Sequence, residues 1–290
     1  MSLIPYDDRD GFIWFDGKLV SWREAKVHFL THALHYGSGV FEGVRCYSGK
    51  IFKLSEHSQR LIEGCGSMDM KMPYTLEQIN QACLETIRAN KITDGYVRPL
   101  AWRGAEQMGV SAQQTKIHFG VAAWEWPSYF SAEAREKGIR LKTSRWRRPS
   151  PECAPVHVKA CGLYMICTLS KHEAENAGYT DALMLDYRGR VSELTGANFF
   201  MVKGGILHTP EPDCFLNGIT RQTVIQLAKD NGFKVYERSI MPEEIETAEE
   251  CFATGTAAEV TPIGGIDGFV FNVGPVTRKL REAYEKMVRL

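Results

Sequence analysis

The sequence of 290 residues lacks any apolar run near the roughly 18 residues that span a bilayer, so we expect no membrane segment. Residues 1–10 contain neither the basic stretch nor the apolar stretch of a secretory signal peptide. The sequence also lacks an excess of charge, because 35 basic residues balance 35 acidic ones and create no overall field for nucleic acid or an anionic membrane. These absences predict a cytoplasmic protein that binds neither nucleic acid nor a membrane.

Cysteine pairs are lacking as well. The eight cysteines include no CxxC motif and no even framework, a distribution typical of reduced, mostly buried thiols in the cytoplasm. One basic run, residues 142–148, contains an aromatic residue, as nucleic-acid contacts often do. Because the chain has no wider basic character, we interpret this run as a solvated strand or a loop at a dimer interface.

Local patterns predict an α+β unit in the first half of the chain. Residues 12–22 predict a hairpin around Asp16-Gly17, since this pair supports the positive φ angles of a tight turn. Two helices are expected to follow, the first capped by Ser55 and the second by a capping box of Thr75 with Gln78.

The second half of the chain predicts a separate domain. A proline interrupts the pattern at residues 124–130, and we place the domain junction there. Beyond it we expect helices near residues 162–177, 219–230 and 275–289, together with a strand at residues 182–186. The predicted division is a small α/β domain at residues 1–124, a linker at 125–135 and a larger domain at 136–290.

One lysine and three later segments predict a pyridoxal phosphate site. Lys159 is followed by a carboxylate, Glu193, set among small residues, and then by two glycine-containing segments, Leu216–Arg221 and Ala253–Val260. A cofactor lysine requires a partner for the pyridine nitrogen and a cup for the phosphate. The lysine, the partner and the cup all follow one another in this sequence. A carboxylate beside the nitrogen keeps it protonated, so that the ring accepts electrons released at the substrate Cα.

The two glycine-containing segments predict the phosphate cup. Gly218-Ile219-Thr220 opens a helix, where free N–H groups and the helix dipole favour a dianion. Thr254 to Ala257 repeats the arrangement of consecutive N–H groups. Arg60 is the candidate cation for the phosphate, and Tyr164 is the candidate partner for the phenolic oxygen of the cofactor.

Three histidines raise a competing interpretation. His28, His32 and His35 have the spacing of metal ligands on one helix face. No cysteine pair or well-spaced carboxylate nearby completes a site, and the stretch ends in Gly37-Ser38-Gly39. We therefore interpret them as structural histidines and predict no metal.

Taken together, the chain resembles the branched-chain amino acid aminotransferases, which are fold type IV pyridoxal-phosphate enzymes, over essentially its whole length. The segments that carry the resemblance are His32–Gly37, Val40–Arg45, Tyr96–Leu100, Ala154–Tyr164, Gly218–Arg221 and Gly255–Pro262. The resemblance implies a mixed α/β fold of two domains, a small α/β domain and a larger β-barrel-like domain that carries the cofactor lysine. It also implies a homodimer or hexamer with active sites near the subunit and domain interface.

The resemblance also implies roles for individual residues. Lys159 would bind pyridoxal 5′-phosphate covalently and shuttle the proton of the substrate Cα. The other cofactor-binding residues would be Arg60, Tyr164, Glu193, Gly196, Asn198, Gly218, Ile219, Thr220, Gly255 and Thr256. The substrate-binding residues would be Tyr36, Phe41, Gly43, Tyr96, Arg98, Val110, Trp126, Tyr129, Thr256 and Ala257.

Two positions depart from the pattern of many family members. Ala197 stands where they have a second glutamate, and Asn217 stands where they have proline before Gly218. Neither departure removes a catalytic group, but the first bears on substrate preference.

The implied reaction transfers the amino group of leucine, isoleucine or valine to 2-oxoglutarate. The alternatives within the same fold are a D-amino acid transaminase, an (R)-amine transaminase and a lyase of the aminodeoxychorismate type. A different class is a non-catalytic binding protein, against which the intact Lys159 argues.

Overall fold

The computed structural model describes residues 4–126 and 132–289. Contacts divide the chain into two compact units, one of Met1–Pro127 with Val158–Gly162 and one of Ser128–His157 with Leu163–Leu290. Among the described residues, no helix is both long and apolar enough to cross a membrane. The boundaries predicted from the sequence, with a linker at 125–135, stay a prediction; the contacts additionally group the lysine segment with the N-terminal unit.

The first unit is an antiparallel sheet with helices. Its elements are β1 (Phe12–Phe15), β2 (Lys18–Ser21), α1 (His32–Tyr36), β3 (Gly39–Phe41), β4 (Val44–Tyr47), β5 (Lys50–Ile51), α2 (Leu54–Ser67), α3 (Leu76–Ala89), β6 (Gly95–Arg103) and β7 (Ile117–Glu125). The sheet order is β2-β1-β7-β6-β4-β5, and β3 also pairs with β6. The central strand β6 is long enough for β3 and β4 to pair with successive parts of it.

Local sequence chemistry explains the turns and caps of this unit. The β1–β2 hairpin turns at Asp16 and Gly17, both at positive φ, as predicted. The capping box of Thr75 and Gln78 is confirmed at the start of α3. The predicted cap Ser55 is wrong: α2 begins at Leu54, after Lys53 in the left-handed region, and the side chain of Lys53, the N-cap residue, makes no capping hydrogen bond. Ser55 lies in the first turn of α2, so the sharp bend at Lys53 starts this helix.

The second unit is a nine-stranded sheet among the described residues, flanked by helices. Its elements are α4 (Ala132–Lys137), β8 (Ile139–Arg148), α5 (Tyr164–Asn176), β9 (Asp181–Asp186), β10 (Val191–Leu194), β11 (Asn198–Lys203), β12 (Ile206–Thr209), α6 (Ile219–Asp230), β13 (Val235–Glu237), β14 (Glu250–Gly255), β15 (Glu259–Ile266), β16 (Phe269–Val270) and α7 (Pro275–Val288). The helices and the strand predicted for this half are all present. The strand order is β10-β9-β8-β15-β14-β11-β12-β13.

Six of these strands close into a ring, because β10 pairs with β11 as well as with β9. The predicted barrel-like domain is thereby confirmed. A closed sheet leaves no unpaired edge along the ring, which stabilises strands that are distant in the chain. Its core holds buried apolar side chains from the ring strands, among them Leu141, Leu183, Phe199 and Ile263.

Candidate active site

Lys159 is held by the backbone of β3. The Phe41 N–H donates to the Lys159 carbonyl at 3.1 Å, and Val40 forms an isolated bridge with Ala160. The ammonium of Lys159 lies 5.0 Å from the centre of the Phe41 ring. Backbone contacts at Lys159 and Ala160 therefore fasten to β3 the segment whose lysine the sequence assigns to the cofactor.

The environment of Lys159 favours its neutral form. Burial lowers the pKa of Lys159, and the cations of Arg60 and Arg98 lower it further, whereas Glu42 and Tyr96 act in the opposite direction. The net shift is downward. An amine with a lowered pKa is more often neutral at physiological pH, which a nucleophile and proton carrier requires.

A buried ionic network that the sequence reasoning missed lies next to this lysine. Glu42 is 1% exposed and accepts hydrogen bonds from Arg60 Nε at 2.6 Å, Arg60 Nη2 at 2.8 Å and His57 Nδ1 at 2.7 Å. Burial raises the pKa of Glu42, but Arg60 and His57 outweigh it and hold this pKa at about 2. Arg60 is thus a fixed cation. The spacing of His57 and Arg60 on one face of α2 was the available signal.

Arg98 rests on an aromatic platform. Its guanidinium carbon lies 4.7 Å from the Phe41 ring centre and 5.2 Å from that of Tyr96. The Trp126 ring meets Tyr96 edge-on at 4.9 Å. Gly43 permits this packing, because a Cβ there would collide with the Tyr96 hydroxyl. The structure therefore brings together Phe41, Gly43, Tyr96, Arg98 and Trp126.

Arg98 retains unused hydrogen-bonding capacity. Its Nε is buried and has no hydrogen-bond partner among the described residues. Its Nη2 donates a long hydrogen bond to the Tyr96 hydroxyl at 3.4 Å. Buried donors without partners are rare, and a guanidinium without one is suited to receive an anion.

Tyr36 contacts His32, and Val110 follows Gly109, which contacts the same histidine. The His32 ring stacks on Tyr36 with centres 4.5 Å apart, while Nε2 donates to the Gly109 carbonyl at 3.0 Å and Nδ1 contacts the Ser38 hydroxyl at 2.7 Å. Val110 is 87% exposed and Tyr36 is 46% exposed. Tyr129 lies outside the described residues.

The histidine triad makes local contacts. His28 Nδ1 accepts from the Leu30 N–H at 3.1 Å, and His35 Nε2 contacts the Phe29 carbonyl at 3.0 Å. Together with the bonds of His32, these contacts give each ring a partner within the first unit, in agreement with the structural interpretation.

In the second unit, Glu193 is buried on β10 and is paired with a cation. Its Oε1 lies 3.4 Å from Arg148 Nε, and its Oε2 accepts from Asn198 Nδ2 at 3.2 Å. Burial is the largest effect and lowers the pKa of Arg148, but Glu193, Cys167 and Tyr164 together outweigh it, so this pKa is raised. The Glu193 carboxylate is therefore held beside a cation in a buried setting.

Arg148 corrects the interpretation of the basic run at 142–148. The run is a strand, the end of β8, but its last residue is only 4% exposed and faces Glu193. The sequence offered no signal that distinguished Arg148 from its exposed neighbours, because the burial of one strand residue depends on which strand lies beside it.

The predicted phosphate segment is the start of α6. Gly218 is the N-cap and has no side chain to cap the N–H groups of the first turn, which have no partner within the helix. A Cβ at Gly218 would collide with Asn198 Oδ1, so glycine permits the close approach of these two segments. Ile219 and Thr220 follow as the first residues of the helix. The free N–H groups and the dipole make this end suitable for an anion.

The second predicted segment forms the turn between β14 and β15. Gly255 lies against the Gly196–Ala197 turn, since a Cβ at Gly255 would lie 3.3 Å from the Gly196 carbonyl and 3.5 Å from the Ala197 Cβ. Thr254 is fully buried, and its hydroxyl has no hydrogen-bond partner among the described residues. Thr256 and Ala257 lie in the turn itself.

Comparison with known proteins decides the family. A family model described as amino-transferase class IV matches residues 39–266. A curated branched-chain-amino-acid aminotransferase of Pseudomonas aeruginosa is 44% identical over 288 residues, covering 97% of this chain and 94% of the relative. The chain belongs to the class IV aminotransferases.

Solved structures of class IV aminotransferases have the same fold. The branched-chain amino acid aminotransferase of Escherichia coli is similar with a TM-score of 0.94 and 38% identity, covering 97% of this chain and 95% of the other. The enzyme of Thermobaculum terrenum, solved in its PLP-form, is similar with a TM-score of 0.89 and 32% identity, covering 96% of this chain and 94% of the other.

The residues of this class IV aminotransferase fit pyridoxal 5′-phosphate. Lys159 supplies an amine with a lowered pKa, and Glu193 supplies a buried carboxylate. The start of α6 presents the N–H groups of its first turn, and among the described residues the buried hydroxyl of Thr254 has no hydrogen-bond partner. Amine, carboxylate and phosphate cup are the three groups that the cofactor requires.

Proposed function

We propose that this class IV aminotransferase transfers the amino group of leucine, isoleucine or valine to 2-oxoglutarate, giving branched 2-oxo acids and L-glutamate. The observation that carries the proposal is the setting of Arg98, a cation on the rings of Phe41 and Tyr96 whose Nε has no hydrogen-bond partner in the described part of the chain. The names of the relatives in Pseudomonas aeruginosa and Escherichia coli support the branched-chain assignment.

The two substrates place opposite demands on one binding site. An aliphatic side chain is stabilised by apolar surface, which the rings of Phe41, Tyr96 and Trp126 offer. The second carboxylate of 2-oxoglutarate needs a cation, and a guanidinium binds a carboxylate through two parallel hydrogen bonds. Arg98 supplies the cation and leaves the apolar surface suitable for an aliphatic side chain, because its charge already lies over aromatic faces.

Pyridoxal 5′-phosphate, when bound, supplies an electron-accepting ring and a carbonyl group for the amino group of the substrate. Lys159 would hold the cofactor through its Nζ; once the amino group of the substrate has displaced it, the freed Nζ would take and return the proton of the substrate Cα. Glu193, fixed by Arg148 and Asn198, would hold the proton on the pyridine nitrogen.

The remaining cofactor contacts are proposed at the phosphate. Thr220 and Thr256 serve as its ligands together with the backbone of Ile219. Arg60, fixed by Glu42, contributes a positive charge. Tyr164 at the start of α5 donates to the phenolic oxygen of the cofactor.

Self-association is part of the proposal. The segment before and within α1 exposes large apolar side chains, with Phe29 at 76%, Leu34 at 64% and Val27 at 46%. Beside it lies an apolar cavity of about 380 Å³. Contiguous apolar surface of this kind marks protein interfaces, and a homodimer or hexamer would also cover the exposed Tyr36 and Val110. The cytoplasmic location stays a prediction.

The test combines cofactor mapping with a substrate panel. Borohydride reduction followed by peptide mapping should place the pyridoxyl label on Lys159, and a label on another lysine would overturn the assignment. Steady-state assays should show turnover of leucine, isoleucine and valine with 2-oxoglutarate. Preference for D-amino acids or (R)-amines, or pyruvate release from aminodeoxychorismate, would identify one of the alternatives. Light scattering of the same preparation measures the oligomeric state.

A further inference from the structure

The loop before α6, residues 216–218, is fastened from two sides. On one side Asn198 Nδ2 donates to the Leu216 carbonyl at 3.0 Å. On the other side Arg221 Nη1 donates to Asn217 Oδ1 at 3.0 Å. The loop therefore makes side-chain contacts to a strand behind it and to the helix ahead of it.

Arg221 is a rigid anchor for this loop. The side chain is 1% exposed, and Nη2 donates to the Pro210 carbonyl at 2.8 Å and to Glu237 at 2.9 Å. Its Nε also donates to Thr209 Oγ1 at 3.3 Å. These acceptors lie at the end of β12 and on β13, so the guanidinium is positioned by the sheet rather than by the loop that it holds.

Asn198 connects the same loop to the carboxylate of the candidate site. Its amide nitrogen donates both to Leu216 and to Glu193 Oε2, the latter at 3.2 Å. The side-chain carbonyl oxygen of Asn198 occupies the space that a Cβ at residue 218 would need, so only glycine fits there. A displacement of the loop would thus disturb the contact that fixes Glu193.

Asn217 is the position at which the chain departs from the proline of many family members. Proline fixes φ near −65° and reduces the number of conformations open to a loop. The φ angle of asparagine is not fixed in this way, but the hydrogen bond that the Asn217 side chain accepts from Arg221 limits the conformations of residue 217. Hydrogen bonds to charged groups are among the stronger ones in proteins.

We propose that Asn217 and Arg221 are positioning residues that hold the free N–H groups of Ile219 and Thr220 in place for the phosphate of the cofactor. In this chain a side-chain bond performs the task that proline performs elsewhere in the family. The inference rests on the proposed function, since it requires that α6 begins at the phosphate.

The test measures affinity rather than activity. Dissociation constants of pyridoxal phosphate and of pyridoxal, which lacks the phosphate, are determined by equilibrium dialysis with the cofactor-stripped protein. We expect Asn217→Ala to raise the dissociation constant of pyridoxal phosphate by about tenfold, the loss of affinity typical of one hydrogen bond to a charged group. Pyridoxal should bind Asn217→Ala as it binds the wild type.

Two further variants sharpen the comparison. Asn217→Pro restricts the loop again, so its affinity for pyridoxal phosphate should stay near that of the wild type. Proline requires a negative φ, and Asn217 is not among the residues at positive φ. Asn231→Ala is the matched control, because Asn231 makes a side-chain bond to Leu227 at the other end of α6. It should leave both affinities unchanged.

The outcomes separate the two levels of the proposal. Equal losses for pyridoxal and pyridoxal phosphate in Asn217→Ala, or no loss for either, would overturn the positioning role. A lower thermal midpoint with unchanged affinity would also overturn it, because it would show a purely structural bond. Failure of the wild type to bind pyridoxal phosphate would instead contradict the proposed function itself.

Discussion

Replacement of Glu42 by glutamine tests the ionic network beside Lys159. The pKa of Glu42 falls from an ordinary value of 4.5 to about 2 in the folded protein. With roughly 1.4 kcal/mol for each unit, this difference corresponds to about 3 kcal/mol of stability at neutral pH. Loss of one partner from a buried ion pair typically costs about 3–5 kcal/mol, which agrees with that figure.

The pH dependence gives this prediction its sign. A depressed pKa means that the folded state holds the proton less tightly than the unfolded state, so the stabilisation is complete above pH 4.5 and fades as the pH falls towards 2. By pH 3 about 2 kcal/mol of the difference between the wild type and Glu42→Gln should be gone. All other carboxylates are common to both proteins and cancel from this difference.

Urea unfolding at pH 7, 5 and 3 measures the effect. Tryptophan fluorescence reports on the relevant unit, because five of the six tryptophans precede residue 127. Glu63→Gln is the control: Glu63 is an exposed residue of α2 that accepts from Gln59, and its replacement should change stability by less than about 0.5 kcal/mol. A Glu42→Gln penalty of the same size at pH 7 and pH 3 would refute the assigned charge state.

Two further predictions concern the reaction. Glu193→Gln should slow cleavage of the substrate Cα–H bond by roughly 10²-fold while cofactor is retained, because its role is electronic; single-turnover rates equal to those of the wild type would remove Glu193 from that role. Arg98→Ala should raise the KM for 2-oxoglutarate by about tenfold or more, since the paired charge is worth roughly 1.5–3 kcal/mol, and should change the leucine half-reaction only modestly. Equal losses for both substrates would show that Arg98 acts through stability alone.

The sequence was sufficient to predict those turns, caps and helix bounds that depend only on neighbouring residues along the chain. The Asp16-Gly17 turn and the Thr75 capping box are decided within a few residues, and both are confirmed. The helix at 219–230 was predicted with the bounds that it has, because glycine residues stand before it and after it. Ser55 misled the prediction, since the left-handed backbone at Lys53 starts α2 two residues earlier than a cap at Ser55 would.

The partners of the candidate site depended on contacts between distant segments. Arg148 and Glu193 lie on strands that do not pair directly with each other, and Glu42 meets His57 and Arg60 from a different element. Each of these charged residues resembled a solvated side chain in the sequence. Their burial follows from strand order, which no local pattern of charge or hydrophobicity records.

The junction at which the barrel closes has a consequence for how the enzyme tolerates change. The residue pair that joins β10 to β11 is Glu193 with Asn198, which are also the candidate cofactor residues. Because β10 and β11 pair through this single register pair, we expect a substitution on a remote strand that widens the ring to disturb this junction. Mutations that loosen the barrel should therefore reduce cofactor affinity before they lower the melting temperature, and cofactor retention would serve as an early gauge of damage to the whole domain.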